Sequence, residues 1–381
     1  MAVKRDGIRG TWYYVIDVPA TSGRRQQIRR HGFPTKKAAA MAEAEVVADV
    51  RHGRYLRPSR STVGEYLVET WLPARRVNLR ASTVLGYQKV IQRRIVPYIG
   101  DELLAALDAA TLEHFYARLL AGGGEGGRQL SAKTVANTAG VLSIALADAV
   151  RLKLVPHNVA NDARLPRRRR PEMTAWTEAE AGAFLASVAD DRLFPLWRLA
   201  LATGLRRGEL AGLRWRDVDL TEGRLTVAST RVVADVVVTG EPKTRAGARV
   251  VSLDPETVTA LAAWRRQQAE ERLAVGPAWQ DHGLVFVDQV GVPPHPETMT
   301  RWWRESVARA GLPPIRLHDA RHTAATMLLR AGVPVKVVAQ RLGHADVAVT
   351  MRVYQHVTAQ DDRSAADATG RALGGENVTI S

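Results

Sequence analysis

Residues Arg164–Pro171 read RLPRRRRP, two prolines combined with a run of arginines. Two prolines remove backbone donors and keep it extended. Five arginines in eight residues repel one another unless an anion lies alongside. Residues 164–172 therefore read as a basic linker between domains. Arg167, Arg168, Arg169 and Arg170 are placed to lie along a phosphate backbone. The full length of 381 residues, at roughly 100–200 per domain, suggests two or three domains.

Charge points the same way. The net charge is +15 and the pI near 10.5. Residues 1–60 hold thirteen Lys and Arg against five Asp and Glu, so a net +8 sits in less than a sixth of the chain. A basic field that concentrated is expected where phosphates dock, because each neutralised phosphate releases condensed counterions. Hydrophobic residues make up 46% and charged residues 24%, a globular composition rather than a disordered or fibrous one. The absence of cysteine excludes disulfides, thiolate zinc sites, iron–sulfur clusters and a cysteine nucleophile, and fits a reducing compartment. The longest uncharged stretch, Thr134–Ala147, has fourteen residues, short of the roughly 17–25 of a membrane helix. The opening MAVKRDGIRG lacks the apolar core of a secretory signal. A soluble, cytoplasmic protein acting on nucleic acid is expected.

The pattern along the chain predicts an α+β multidomain protein. In residues 1–60, Thr11–Val18 is rich in aromatic and β-branched residues, and Ser22-Gly23 marks a turn. Arg24–His31 reads as a second, basic strand, and Thr35 can cap a helix to about Val50. Arg24, Arg25, Arg29 and Arg30 then make the sheet a candidate groove or phosphate surface. Residues 61–163 read as all-α. Helices open at Thr62, Thr83, Asp108 and Ser131, each residue a plausible N-cap. Gly122–Gly127 lacks the Lys-Ser/Thr of a nucleotide loop and reads as a flexible connection.

From Met173 to Ser381 the pattern is mainly helical with a small sheet. Thr177 and Glu180 form a capping box, and Gly204 ends the apolar helix Leu193–Ala202. Leu225–Val227, Thr230–Val238, Arg249–Leu253 and Leu284–Val287 read as strands. Helices continue from Asp254-Pro255 to about Ala372, broken at Gly311–Pro314, Gly332–Pro334 and Gly343.

This last domain carries an ordered constellation. It runs Thr203-Gly204-Leu205-Arg206-Arg207-Gly208-Glu209-Leu210, Pro242-Lys243-Thr244, His318-Asp319-Ala320-Arg321-His322, Leu342-Gly343-His344 and Tyr354. It resembles the catalytic domain of the tyrosine recombinase (phage integrase) family, over roughly residues 174–360. The resemblance implies six catalytic residues, Arg206, Lys243, His318, Arg321, His344 and the nucleophile Tyr354. It also implies that residues 61–163 are a helical core-binding domain that clamps duplex DNA with the catalytic domain. Residues 1–60 look like a three-stranded arm-binding domain, which points to an integrase of a phage or mobile element rather than an Xer-like resolvase. The implied partners are double-stranded DNA at core and arm sites, three further copies of the chain, a host DNA-bending protein and an excision factor. The implied setting is the nucleoid of a bacterial cytoplasm. The Gln355–Ser381 tail resembles a segment that packs on a neighbouring protomer.

The residue types suit that chemistry. His318 and Arg321, three apart, share a helix face, and Arg206 sits where a helix begins. Two arginines can grip the non-bridging oxygens of a phosphoryl transition state with forked hydrogen bonds. Lys243 on a turn can donate a proton to a leaving oxygen, and a histidine near neutral pH can accept the nucleophile's proton. Of eight tyrosines only Tyr354 lies in the domain with these ligands. A phosphotyrosine keeps the bond energy for rejoining, so no ATP, metal or other cofactor is expected.

Taken singly, each residue has a plainer role. Arg206 could pair with Glu209 in the same helix, Lys243 could be solvated, His344 could cap a helix end, and Tyr354 could pack on its neighbour. A zinc hydrolase is a second reading, with His318 and His322 four apart and His344 as a third ligand. Arg321 between two ligands opposes it. A catalytically silent DNA-binding protein is a third reading, opposed by the complete set.

Overall fold

The computed structural model describes residues 3–18, 26–51, 60–167, 174–233, 237–240 and 247–351, with 363, 366–367 and 369–370. The chain divides into two compact units, Met1–Arg169 and Arg170–Ser381, and the division falls within the arginine-rich run.

The first unit begins with an antiparallel sheet, β1 (Lys4–Arg5), β2 (Trp12–Val18) and β3 (Gln26–Phe33), in that spatial order. Helix α1 (Lys36–Arg51) packs on β2, where Tyr14 and Ile16 are buried with Ala39. Val15 pairs with Arg29 and Tyr14 with Arg30. Cross-strand partners share a face and successive residues alternate, so Arg29 and Arg30 belong to opposite faces. Of the four arginines expected on the sheet, Arg29 and Arg30 are thus both on β3 and exposed, one on each face. Arg29 lies on the face away from α1, over the Tyr13 ring at 5.6 Å, with His31 stacked on that ring at 4.6 Å. Arg24 and Arg25 lie outside the described residues.

The helical section follows as α2 (Val63–Glu65), a π-helical turn Tyr66–Trp71, α3 (Leu72–Arg76), α4 (Ala81–Val90), a second π turn Ile91–Ile95 and α5 (Val96–Ile99). Then come α6 (Ala109–Gly122) and α7 (Ala132–Arg151). Thr62, Asp108 and Ser131 cap helices as the sequence predicts. The helix expected at Thr83–Ile95 instead starts at Ala81 and widens at Ile91. Both wide turns close one residue before a proline, with Leu72 N–H donating to the Leu67 carbonyl and Val96 N–H to that of Ile91. Pro73 and Pro97 cannot donate, and their rings crowd the carbonyl four residues back, which a widened turn relieves. Tyr66, Trp71, Ile91, Ile95, Phe115 and Leu142 form the core of this section. The glycine-rich connection holds a short 3₁₀ turn, Glu125–Gly127.

In the second unit Thr177 and Glu180 form the predicted capping box of α8 (Glu178–Ser187). Helices α9 (Phe194–Thr203) and α10 (Arg207–Gly212) lead to β4 (Val218–Asp219), β5 (Arg224–Val227), β6 (Thr230–Val233), β7 (Val237–Gly240) and β8 (Arg249–Ser252). Helices α11 (Pro255–Val275), α12 (Pro296–Arg309), α13 (Leu317–Arg330), α14 (Val335–Leu342) and α15 (Val347–Met351) follow. Strands β4, β5 and β8 form one antiparallel sheet and β6–β7 a separate hairpin. Trp176, Trp197, Trp264 and Trp303 are almost wholly buried in the core.

Two strand expectations are corrected here. Thr230–Val238 is not one strand, because β6 and β7 are separate strands that pair antiparallel, with Val233 opposite Val237. Leu284–Val287 makes a single bridge, Leu284 to Arg214. Its backbone is satisfied elsewhere: Val285 N–H donates to the Leu213 carbonyl, and the Val285 carbonyl accepts from Trp264 Nε1 and Gln268 Nε2. Among the described residues no helix is long and apolar enough to cross a membrane.

Candidate active site

Two left-handed glycines fix the backbone of the site. Gly204 (φ 62°) ends α9 and Gly343 (φ 70°) ends α14. The positive φ favours glycine at 204, and a Cβ there would also meet Leu342 Cδ2 at 2.5 Å, so the Leu342 side chain would have to shift. The chain then turns into α10 with Arg206 as its N-cap.

Arg206 does pair with Glu209 in its own helix, Nη1 donating to Oε1 at 2.7 Å, and its backbone N–H donates to Oε2 at 2.9 Å. It does more than that pair requires, because its Nη2 also donates to the Gly343 carbonyl at 2.8 Å. Arg321 comes from α13 and is 2% exposed. Its Nη1 donates to the Gly204 carbonyl at 2.8 Å and its Nη2 to the Leu342 carbonyl at 2.6 Å. Burial, then the charge of Arg206, pushes the Arg321 guanidinium below its ordinary value, and Glu209 opposes that shift. Both arginines thus bind the end of α14, next to His344.

His344 donates its backbone N–H to the Ala339 carbonyl, closing the helix end as its plainer role foresaw. Its ring is also engaged, with Nδ1 2.8 Å from Thr350 Oγ1. Burial, then Arg321 and Arg206, lowers the His344 pKa to about 4, so the ring is neutral at pH 7. His318 shares α13 with Arg321 and meets His322 edge to face at 5.2 Å between ring centres. Burial, then His322 and Arg321, lowers His318, and burial likewise lowers His322. His322 is therefore a direct neighbour of His318. Arg207 points elsewhere, donating to Thr300 Oγ1 at 3.0 Å.

The structure brings Arg206, Arg321 and His344 together and places His318 on the helix of Arg321. Lys243 and Tyr354 lie outside the described residues, as do Arg168, Arg169, Arg170 and most of the tail from Gln355. Arg167 is exposed. Among the described residues no three His, Cys, Asp or Glu side chains cluster as a metal site would need. Sequence reasoning missed Arg249 and Thr350. Glu209, 4% exposed, emerges as the carboxylate beneath Arg206. Burial pushes its pKa up, but hydrogen bonds and charge from Arg249 and Arg206 outweigh burial and hold it below the usual carboxylate range.

Comparison with known proteins gives three domain matches: the phage integrase family over residues 178–361, an arm DNA-binding domain over 2–50, and the phage integrase N-terminal SAM-like domain over 63–120. The chain is 26% identical to a "Tyrosine recombinase XerC-like" protein of Caldanaerobacter subterraneus subsp. tengcongensis, covering 96% of this chain and 98% of that protein. It is 27% identical to the ICEBs1 integrase of Bacillus subtilis, over 87% and 89% of the two chains. Among solved structures, the Tn1549 transposon integrase in complex with a circular intermediate DNA superposes with a TM-score of 0.69 at 20% identity, covering 81% of this chain and 99% of that one. A lambda integrase tetramer bound to a Holliday junction gives 0.59 at 16% identity, covering 100% and 97%. The ordered motifs, the clustered arginines and the three matching domains lead to one conclusion: the chain belongs to the phage integrase family of tyrosine recombinases, with an arm DNA-binding domain at its N-terminus.

Proposed function

We propose that this recombinase integrates and excises a phage or other mobile element by cutting and rejoining DNA strands through a 3′-phosphotyrosyl bond to Tyr354. The observation that carries the reading is the convergence of Arg206 and Arg321 on the end of α14, beside His344. Each arginine has five N–H donors, and the backbone and Glu209 bonds described above commit two side-chain donors on each. The remaining donors can take the non-bridging oxygens of the scissile phosphate, whose charge grows in the transition state. Tyr354 attacks phosphorus, the 5′ oxygen leaves, and Lys243 donates its proton. His318 accepts the tyrosine proton, and neutral His344 donates a hydrogen bond to a phosphate oxygen. Rejoining reverses these steps without ATP, so the energy of the broken bond is retained.

The domain division proposed is residues 1–60 for arm sites, 61–163 for core sites and 173–381 for chemistry, with Arg167–Arg170 of the linker along the phosphates. Four copies act on two duplexes through a Holliday junction, in the bacterial cytoplasm, with a host bending protein and an excision factor as further partners. The arm-domain match at residues 2–50 supports an integrase over a simpler resolvase. Recombination between two attachment-site plasmids tests the reading. It should proceed in excess EDTA, because arginines do here what a cation would do. Activity lost to EDTA and restored by zinc would favour the histidine-site reading instead.

A further inference from the structure

Arg249 stands outside the motif set yet touches several of its parts. It opens β8, six residues after Lys243 in the chain, and its side chain is 6% exposed. Its Nη2 donates to Glu209 Oε2 at 3.0 Å and its Nη1 reaches Oε1 at 3.3 Å, so one fork faces both carboxylate oxygens. Its Nε donates to the Arg341 carbonyl at 2.6 Å, in the last turn of α14, and Nη1 also reaches the Gly247 carbonyl at 3.0 Å. The two oxygens it grips are those that hold Arg206 from the other side.

A buried carboxylate between two guanidinium groups has no freedom to turn. Remove Arg249 and Glu209 keeps a single cationic partner, itself 39% exposed, in a site that disfavours its charge. Arg206 then loses the fixed wall that sets the direction of its fork. A lysine has three donors on a single nitrogen and cannot reproduce four bonds spread over the three nitrogens of a planar fork.

We infer that Arg249 is a positioning residue for strand cleavage: it locks Glu209, and through Glu209 it holds the Arg206 guanidinium against α14 beside His344. This rests on the phosphotyrosine reading above. The test is single-turnover cleavage of a nicked attachment-site duplex at saturating protein, with Arg249→Gln, Arg206→Lys and the double variant. Arg249→Gln should bind the duplex like wild type in band shifts and cleave roughly tenfold to a hundredfold more slowly, the cost of a misplaced transition-state ligand. In the Arg206→Lys background the same change should cost less than about twofold, because both act on one contact. A purely structural Arg249 would give losses that multiply, which overturns the inference, as would cleavage by Arg249→Gln at the wild-type rate. Should Arg249→Gln melt below the assay temperature, Arg249→Lys is judged by the same cycle. Unfolding of both would make Arg249 a stability residue and overturn the inference. No adduct from wild type would sink the phosphotyrosine reading and this role with it, whereas an active wild type matched by an active variant would sink this role alone.

Discussion

Arg321 gives up water almost completely and spends two donors on backbone carbonyls, Gly204 and Leu342, that belong to two other helices. Such bonds fix where the guanidinium lies without any ligand, which is the preorganisation that the proposed electrostatic catalysis needs. His344 is held in the same way and shows its cost as pH dependence. Its pKa is about 4 in the folded chain against an ordinary 6.5. Between those values the unfolded chain binds more protons than the folded one, so stability falls as pH drops from about 6.5 towards 4 and is fully present above that window. His318 and His322 shift in the same direction. Melting temperatures measured across pH 4 to 7 should therefore decline on acidification, and less steeply for His344→Gln. Equal slopes in the two proteins would refute the assignment. At this scale the arginines and histidines of the site were legible because their residue types recur in a fixed order. Arg249 and Thr350 were not, since an arginine opening a strand and a threonine in a short helix look alike whether buried against a site or solvated. Only the pairing of Arg249 with Glu209, 40 residues away, gives it meaning.

Elements place those residues, and here local chemistry was a good guide wherever a cap or a glycine spoke. Thr62, Asp108, Ser131 and Thr177 each start a helix where a side-chain oxygen meets a free N–H. The misreadings arose where long-range pairing decides. A run of valines reads as one strand until Val233 is seen opposite Val237, and the apolar Leu284–Val287 reads as a strand until Trp264 and Gln268 take the Val285 carbonyl. Gly204 is the element-scale residue most open to test. With φ at 62° and Leu342 Cδ2 only 2.5 Å from where an alanine methyl would sit, Gly204→Ala combines backbone strain with a clash. It should destabilise the catalytic unit by roughly 1–3 kcal/mol in denaturant titrations. It should also slow cleavage, because Arg206 and Arg321 both depend on the α9–α14 approach. Wild-type stability with wild-type cleavage would show that the approach is not fixed by this glycine.

At the scale of the whole molecule the division of labour is written in charge. The net +8 of residues 1–60 is expected to serve arm DNA, and the arginine cluster of the second unit is proposed to serve the scissile phosphate. A chain lacking residues 1–60 should still form a covalent adduct on a short core duplex and fail to join full-length attachment sites. Arm binding should weaken with salt by roughly 0.9 log units in K per phosphate contact per log unit of salt, and Arg29→Ala should lower that slope by about one contact. Band shifts at several salt concentrations check this; an unchanged slope would remove Arg29 from the interface. The central claim, that Tyr354 carries the DNA strand, is tested most directly by incubating wild type and Tyr354→Phe with nicked attachment-site DNA and resolving the products on a denaturing gel. Wild type should yield a covalent protein–DNA band, and Tyr354→Phe should bind the same duplex equally well and yield none, whereas a covalent band from Tyr354→Phe, or none from wild type, would contradict the account.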